Sequence, residues 1–133
     1  VVPDLPGYHA MPYCDDMAQA LAAASLVVCR SGASTVSEVS ALGLPAVYVP
    51  YPVGNGEQKL NARNAVTAGA ALVVDDAAFT PDWITANIIP LVSSAPRLSA
   101  MAEAASRIGT RQGSEQTVAL IREALTETSG SRA

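Results

Sequence analysis

A chain of 133 residues, half of them hydrophobic and 15% charged, has the length for one domain with a real core and too little charge for a disordered one. Its net charge of −4 and pI near 4.8 argue against a nucleic-acid binder, which needs clustered Lys and Arg. A small anion held by backbone amides at a helix start stays open, because that device requires no net positive charge.

The opening "VVPDLPGYHA" lacks the basic and apolar regions of a signal peptide, so the sequence gives no reason to expect export. "GYHAMPYC" (7–14) reads as a strand with its exit, and Asp15 or Asp16 then caps a helix to about Ala24 with Met17, Leu21 and Ala24 inward. "LVVC" (26–29) is a buried strand without polar alternation, as a parallel sheet requires. A helix from about Thr35 to Leu42 follows, stopped by Gly43 and Pro45. "AVYV" (46–49) is a third strand. The turn-rich loop "PYPVGNGEQ" leads into a helix from about Gln58 to Ala68, which ends at Gly69, and "ALVV" (71–74) is a fourth strand.

Beyond Asp76 the pattern is helical. Thr80-Pro81 caps a helix carrying Trp83, Ile84, Ile88 and Leu91, and Pro96 opens one with Leu98, Met101 and Ala105 on one side. Ser114 caps a third, with Val118, Ile121 and Leu125, and the tail (126–133) is expected to be disordered. Strands alternating with helices predict an α/β protein with a parallel sheet. Such folds open with a strand and a Gly-rich turn, and nothing before residue 7 supplies them. The expectation is therefore a piece of something longer.

Two stretches carry chemistry. In "CRSGASTVSE" (29–38), small residues let the Ser31-Gly32-Ala33 amides face outward where a strand ends, and the following helix start can hold a diphosphate. The competing reading is a capping box, Thr35-x-x-Glu38, and spacing alone favours it. In "PVGNGEQKLN", Glu57, Gln58 and Asn61 stand where open α/β sheets place ligand contacts, although composition alone favours a solvated loop. His9 is a lone histidine in an apolar segment and reads as structural, and by itself it permits no Ser-His-Asp arrangement. Cys14 and Cys29 show no metal-ligand spacing and are expected to be reduced thiols of a cytosolic protein. Asp15-Asp16 and Asp75-Asp76 are adjacent pairs rather than an Asp-x-Asp metal cradle.

The ordered set "PYCDDMAQALAAASLVVCRSGASTVSEVSALGLPAVYVPYP", "EQKLNA" and "AGAALVVDD" resembles the MurG family over residues 8 to about 125, with the "PVGNGEQ" wording of its actinobacterial branch. These enzymes are inverting UDP-N-acetylglucosamine transferases that complete the lipid-linked peptidoglycan precursor. The resemblance implies a GT-B fold of two Rossmann-like domains. This chain would be the C-terminal, UDP-sugar-binding one (residues 1–125), without its first strand and Gly-rich loop. It further implies that the acceptor, the catalytic base and the membrane contact belong to the other domain, so that the fragment is inactive alone and the whole enzyme is cytoplasmic, peripheral on the inner face of the membrane.

Carried onto matching positions, Ala33, Ser34 and Thr35 would offer amides to the diphosphate and sugar, and Glu38 would hold the ribose. Cys14 would meet the uracil edge through its backbone, with Tyr13 packing beside the base. Gln58 and Glu57 would contact the GlcNAc hydroxyls, and Asn61 would brace that loop. Glu57 stands where many relatives carry glutamine, and a carboxylate accepts but cannot donate. Arg30 matches the family in a structural role. The resemblance turns the helix start from cap to diphosphate seat, with no obligatory metal and no cofactor expected. Two other readings remain: the donor subunit of a UDP-sugar transferase split over two polypeptides, and a non-catalytic nucleotide-sugar module. The absence of GxGxxG disfavours a dinucleotide dehydrogenase.

Overall fold

The structure is a computed structural model that describes residues 4–109. Three parallel strands, β1 (Val27–Cys29), β2 (Ala46–Tyr48) and β3 (Ala71–Val73), lie side by side in sequence order. Val28 pairs with Val47 and Val47 with Leu72 across the middle of the sheet. Helices α1 (Met17–Ala23), α2 (Ala33–Ala41), α3 (Glu57–Thr67) and α4 (Pro81–Val92) join and follow the strands, and residues 95–109 form the described part of α5.

Period-two alternation along the strands sorts the core into two layers. Ala46 and Tyr48 face the side of α2 and α3, where Val36, Val39, Ala62 and Ala65 bury them. Val47 and Val49 face the opposite side, against Val74, Leu91 and Met101. Since β2 is covered on both faces, its three residues are all buried and read as a continuous apolar run. Helix α5 changes layers along its length: Leu98 and Met101 belong to the second cluster, Ala104 and Ala105 to the first. It passes under the amino ends of the strands, where Leu98 and Ala102 share a cavity lining with Leu44 and Pro45.

Helix ends follow local chemistry. At the end of α2, Gly43 N–H donates to Ser40 O and Leu44 N–H to Val39 O, and at the end of α3, Gly69 and Ala70 repeat the pattern onto Val66 and Ala65. Both are Schellman stops with glycine in the left-handed region, φ 65° and 85°. The Thr80 hydroxyl accepts from Trp83 N at 3.2 Å, so the cap expected there is present. Asp16 caps α1 in the same way, onto Gln19 N at 3.0 Å.

Three expectations are corrected. Residues 7–14 form no strand: Tyr8, Met11 and Tyr13 are exposed, and no described strand pairs with them, so their apolar alternation meets no surface to bury against. The described sheet therefore has three strands rather than four. Met17 is exposed, so the inward stripe of α1 is Leu21 and Ala24 alone. Helix α2 begins at Ala33, two residues before the expected start. The helix expected from Ser114 and the tail at 126–133 lie outside the described residues.

Candidate functional site

All three strands run the same way, so their carboxyl ends share one edge of the sheet, and α2 and α3 both start there. That edge is where an open α/β fold gathers ligand-facing groups. The first consequence concerns the capping box. Gly32 is the N-cap of α2, and no side chain caps that helix start. Thr35 is the third helical residue, too deep to cap, and Glu38 lies in the second turn. The capping-box reading is thereby overturned: the leading amides of Ala33, Ser34 and Thr35 keep the uncompensated partial positive charge of a helix start. Ser34 and Glu38, four residues apart, share one exposed face of α2.

Ser31 departs from expectation more sharply. Its amide does not face outward. It donates to Gln58 Oε1 at 3.2 Å, while its hydroxyl donates to the Gln58 backbone oxygen at 2.7 Å. Asn61 Nδ2 donates to the Ser31 carbonyl at 3.0 Å. Ser31 is 0% exposed, and every polar atom of it is engaged by the first turns of α3. Gln58 Oε1 accepts a second backbone amide, from Tyr51, at 2.8 Å. The turn before α2 and the loop before α3 are therefore tied through one amide side chain.

Arg30 adds a second strut. Nη1 donates to the carbonyls of Val49 and Pro50, at 3.2 and 3.4 Å, and pairs with Asp76 Oδ1 at 2.6 Å. Its guanidinium lies 5.4 Å from the centre of the Tyr51 ring. Lys59 faces Asp75 at 3.4 Å, so each carboxylate of the Asp75-Asp76 pair meets a cation. Glu57 is the first residue of α3, after Gly56 in the left-handed region at φ 76°.

The structure thus brings Ala33, Ser34, Thr35, Glu38, Glu57, Gln58 and Asn61 to one edge. Tyr13 and Cys14 precede α1, which runs back toward the start of β1, so chain direction puts them at the same edge. Among the described residues no hydrogen bond joins them to the Ser31 network, and Tyr13 is 78% exposed. Sequence reasoning missed the part played by Ser31 and Tyr51. The signal that could have found Ser31 was a small hydroxyl residue between an arginine and a helix-starting glycine, a position with room for a buried donor. Cavities away from these residues include one of about 290 Å³ between α3 and β3 and one of about 340 Å³ at the opposite, amino edge.

The family model for the glycosyltransferase family 28 C-terminal domain matches residues 2–119. The chain belongs to that family. The UDP-N-acetylglucosamine–N-acetylmuramyl-(pentapeptide) pyrophosphoryl-undecaprenol N-acetylglucosamine transferase of Clavibacter sepedonicus is 52% identical over 123 residues, 92% of this chain and 34% of that protein. The enzyme of the same name from Mycobacterium avium is 57% identical over 107 residues, 80% of this chain and 26% of that one. Among solved structures, Acinetobacter baumannii MurG superposes with a TM-score of 0.72 at 32% identity, covering 85% of this chain and 34% of that one. The parallel sheet and its helices are those of a GT-B C-terminal domain. The chain spans about a quarter to a third of the length of these relatives.

Proposed function

We propose that this chain is the donor-binding part of an inverting glycosyltransferase that moves N-acetylglucosamine from UDP-GlcNAc to lipid-linked MurNAc-pentapeptide. The observation that carries the reading is the start of α2, open to ligand and fastened to α3 through Ser31, Gln58 and Asn61. The activity named for relatives about half identical over most of the chain supports the same donor.

In this reading the amides of Ala33, Ser34 and Thr35 bind the diphosphate, at about 0.3–1 kcal/mol for the dipole contribution alone. As the glycosidic bond breaks, charge grows on the departing UDP oxygen, and fixed amides stabilise it without reorganising. Glu38, on the exposed face next to Ser34, takes the ribose hydroxyls. Tyr13 and the Cys14 backbone meet the uracil, and Glu57 and Gln58 meet the sugar. The acceptor is handled by the rest of the enzyme, which works at the cytoplasmic face of the membrane. No described helix is long and apolar enough to cross a membrane, and a peripheral association is part of this proposal. Asp75 and Asp76, each facing a cation, are committed to holding loops, and the helix start takes the role a divalent ion fills elsewhere.

The test is a titration of the labelled chain with UDP, UDP-GlcNAc and CDP, followed by amide NMR shifts. Saturable shifts at residues 33–38 and near Cys14 are expected with UDP, and UDP-GlcNAc is expected to add changes at Glu57 and Gln58. Silence from a folded, dispersed spectrum, repeated with the upstream part of a relative's domain fused on, would overturn the reading.

A further inference from the structure

Gln58 was expected to touch the sugar. Its side-chain oxygen, however, is already saturated by the protein. An amide oxygen offers two lone pairs, and here both meet backbone N–H groups: Ser31 at 3.2 Å and Tyr51 at 2.8 Å. Two converging donors also fix which way the amide points, since an NH₂ group cannot face either of them. These donors belong to different segments. Ser31 precedes the helix whose amides would hold the diphosphate, and Tyr51 opens the loop that leads to Glu57.

We propose that Gln58 is a positioning residue, whose carbonyl sets the spacing between the start of α2 and the β2–α3 loop, so that diphosphate affinity depends on it even when the ligand carries no sugar. The inference rests on the donor-binding reading above and deepens it. Ser31 supplies the other half of the brace, since its hydroxyl returns a bond to the Gln58 carbonyl from a site with no solvent access. Asn61 reinforces it from one turn further along α3. Toward a ligand, Gln58 then presents donors only, through Nε2, beside the acceptor-only carboxylate of Glu57. The pair divides the polarity of sugar recognition: hydroxyl protons go to Glu57, and hydroxyl or acetamido oxygens meet Gln58.

The experiment compares Gln58→Met, which keeps length and removes the acceptor, with Ser31→Ala and Gln58→Glu in the full 133-residue chain. Hydrogen exchange is read first, with no ligand present. Gln58→Met should accelerate exchange of the Tyr51 amide about tenfold or more, and Gln58→Glu, which keeps an acceptor, should restore protection. Calorimetry with UDP and UDP-GlcNAc follows. Gln58→Met should weaken UDP about five- to tenfold and UDP-GlcNAc by at least that much, since it also removes Nε2, and Ser31→Ala should weaken both ligands by one smaller factor. A residue that only touched sugar would leave UDP affinity unchanged and weaken UDP-GlcNAc alone, and that outcome would overturn the proposal. Unchanged Tyr51 exchange in Gln58→Met would overturn it as well. If Gln58→Met fails to fold, Ser31→Ala decides: equal loss for both ligands supports the brace, and no loss defeats it. Failure of the wild-type chain to bind UDP would count against the donor-binding reading, while the exchange measurement would still judge the brace.

Discussion

Glu38 and Glu57 are both exposed carboxylates on different helices, and in the proposed reading they meet different parts of a donor. Glu38 shares a face of α2 with Ser34, at the end proposed for the diphosphate, whereas Glu57 begins α3, on the side proposed for the sugar. Hydrogen bonds to a charged group are worth about 1.5–3 kcal/mol, so Glu38→Ala should weaken UDP binding at least tenfold in a calorimetric titration. Glu57→Ala should leave UDP within about twofold and lower the preference for UDP-GlcNAc over other UDP-hexoses. Intact UDP affinity in Glu38→Ala would remove the ribose assignment. Arg30 belongs to this scale too. Its pair with Asp76 is half exposed, and such pairs are worth about 0–1 kcal/mol, so Arg30→Ala should move the melting point little. Its effect should instead appear as faster amide exchange in residues 49–51, whose carbonyls and ring it holds.

Among the elements, α2 and α3 were readable because their stops are local: a glycine at the C′ position announces its own geometry. Gly43 adds a tertiary constraint that no local rule contains, since a Cβ there would collide with the Ser106 hydroxyl on α5. Gly43→Ala should therefore cost more than the left-handed penalty of about 1–2 kcal/mol, measured by urea unfolding. The three strands were readable as apolar runs, but residues 7–14 have the same look and form none. A strand is completed by a neighbour's hydrogen bonds, and the sequence of one segment carries no sign of its neighbour. The capping box misled for a related reason: the spacing Thr35-x-x-Glu38 is right, but the helix begins before it. The Ser31–Gln58 tie was hidden because 27 residues separate its ends. The sheet also carries a pH signature. Cys29 and Tyr48 lie opposite each other in the β1–β2 register. Burial raises the Cys29 thiol above its ordinary 9.0, and burial followed by the neighbouring thiolate raises Tyr48 above 10.0. Raised folded-state values mean stability is fully present below pH 9 and lost as pH climbs through them, because the unfolded chain gives up its protons first. The urea midpoint should hold from pH 7 to 8.5 and fall above 9, and Cys29→Ser should delay that fall until near 10.

For the whole molecule, the donor-binding reading makes one sheet edge half of a site. The chain should bind UDP and transfer nothing: incubated with labelled UDP-GlcNAc and a lipid-linked acceptor, it should yield no product above background. Turnover by the 133-residue chain would contradict this division of labour. Chelation by EDTA should leave UDP affinity unchanged, and a loss of affinity would assign the leaving group's charge to an ion after all.

The two edges of the sheet are joined by very different connections. Under the sheet, glycine stops hand α2 and α3 directly to the next strands, and α5 packs against the one at Gly43. Above it, residues 50–56 run from β2 to α3, with Arg30 holding Pro50 and Gln58 holding Tyr51. Changes in length are therefore admissible on one side of this domain and ruinous on the other. A library meant to redirect the enzyme toward a different sugar should randomise and extend residues 52–56, keep the two pins, and leave 42–45 and 68–70 untouched.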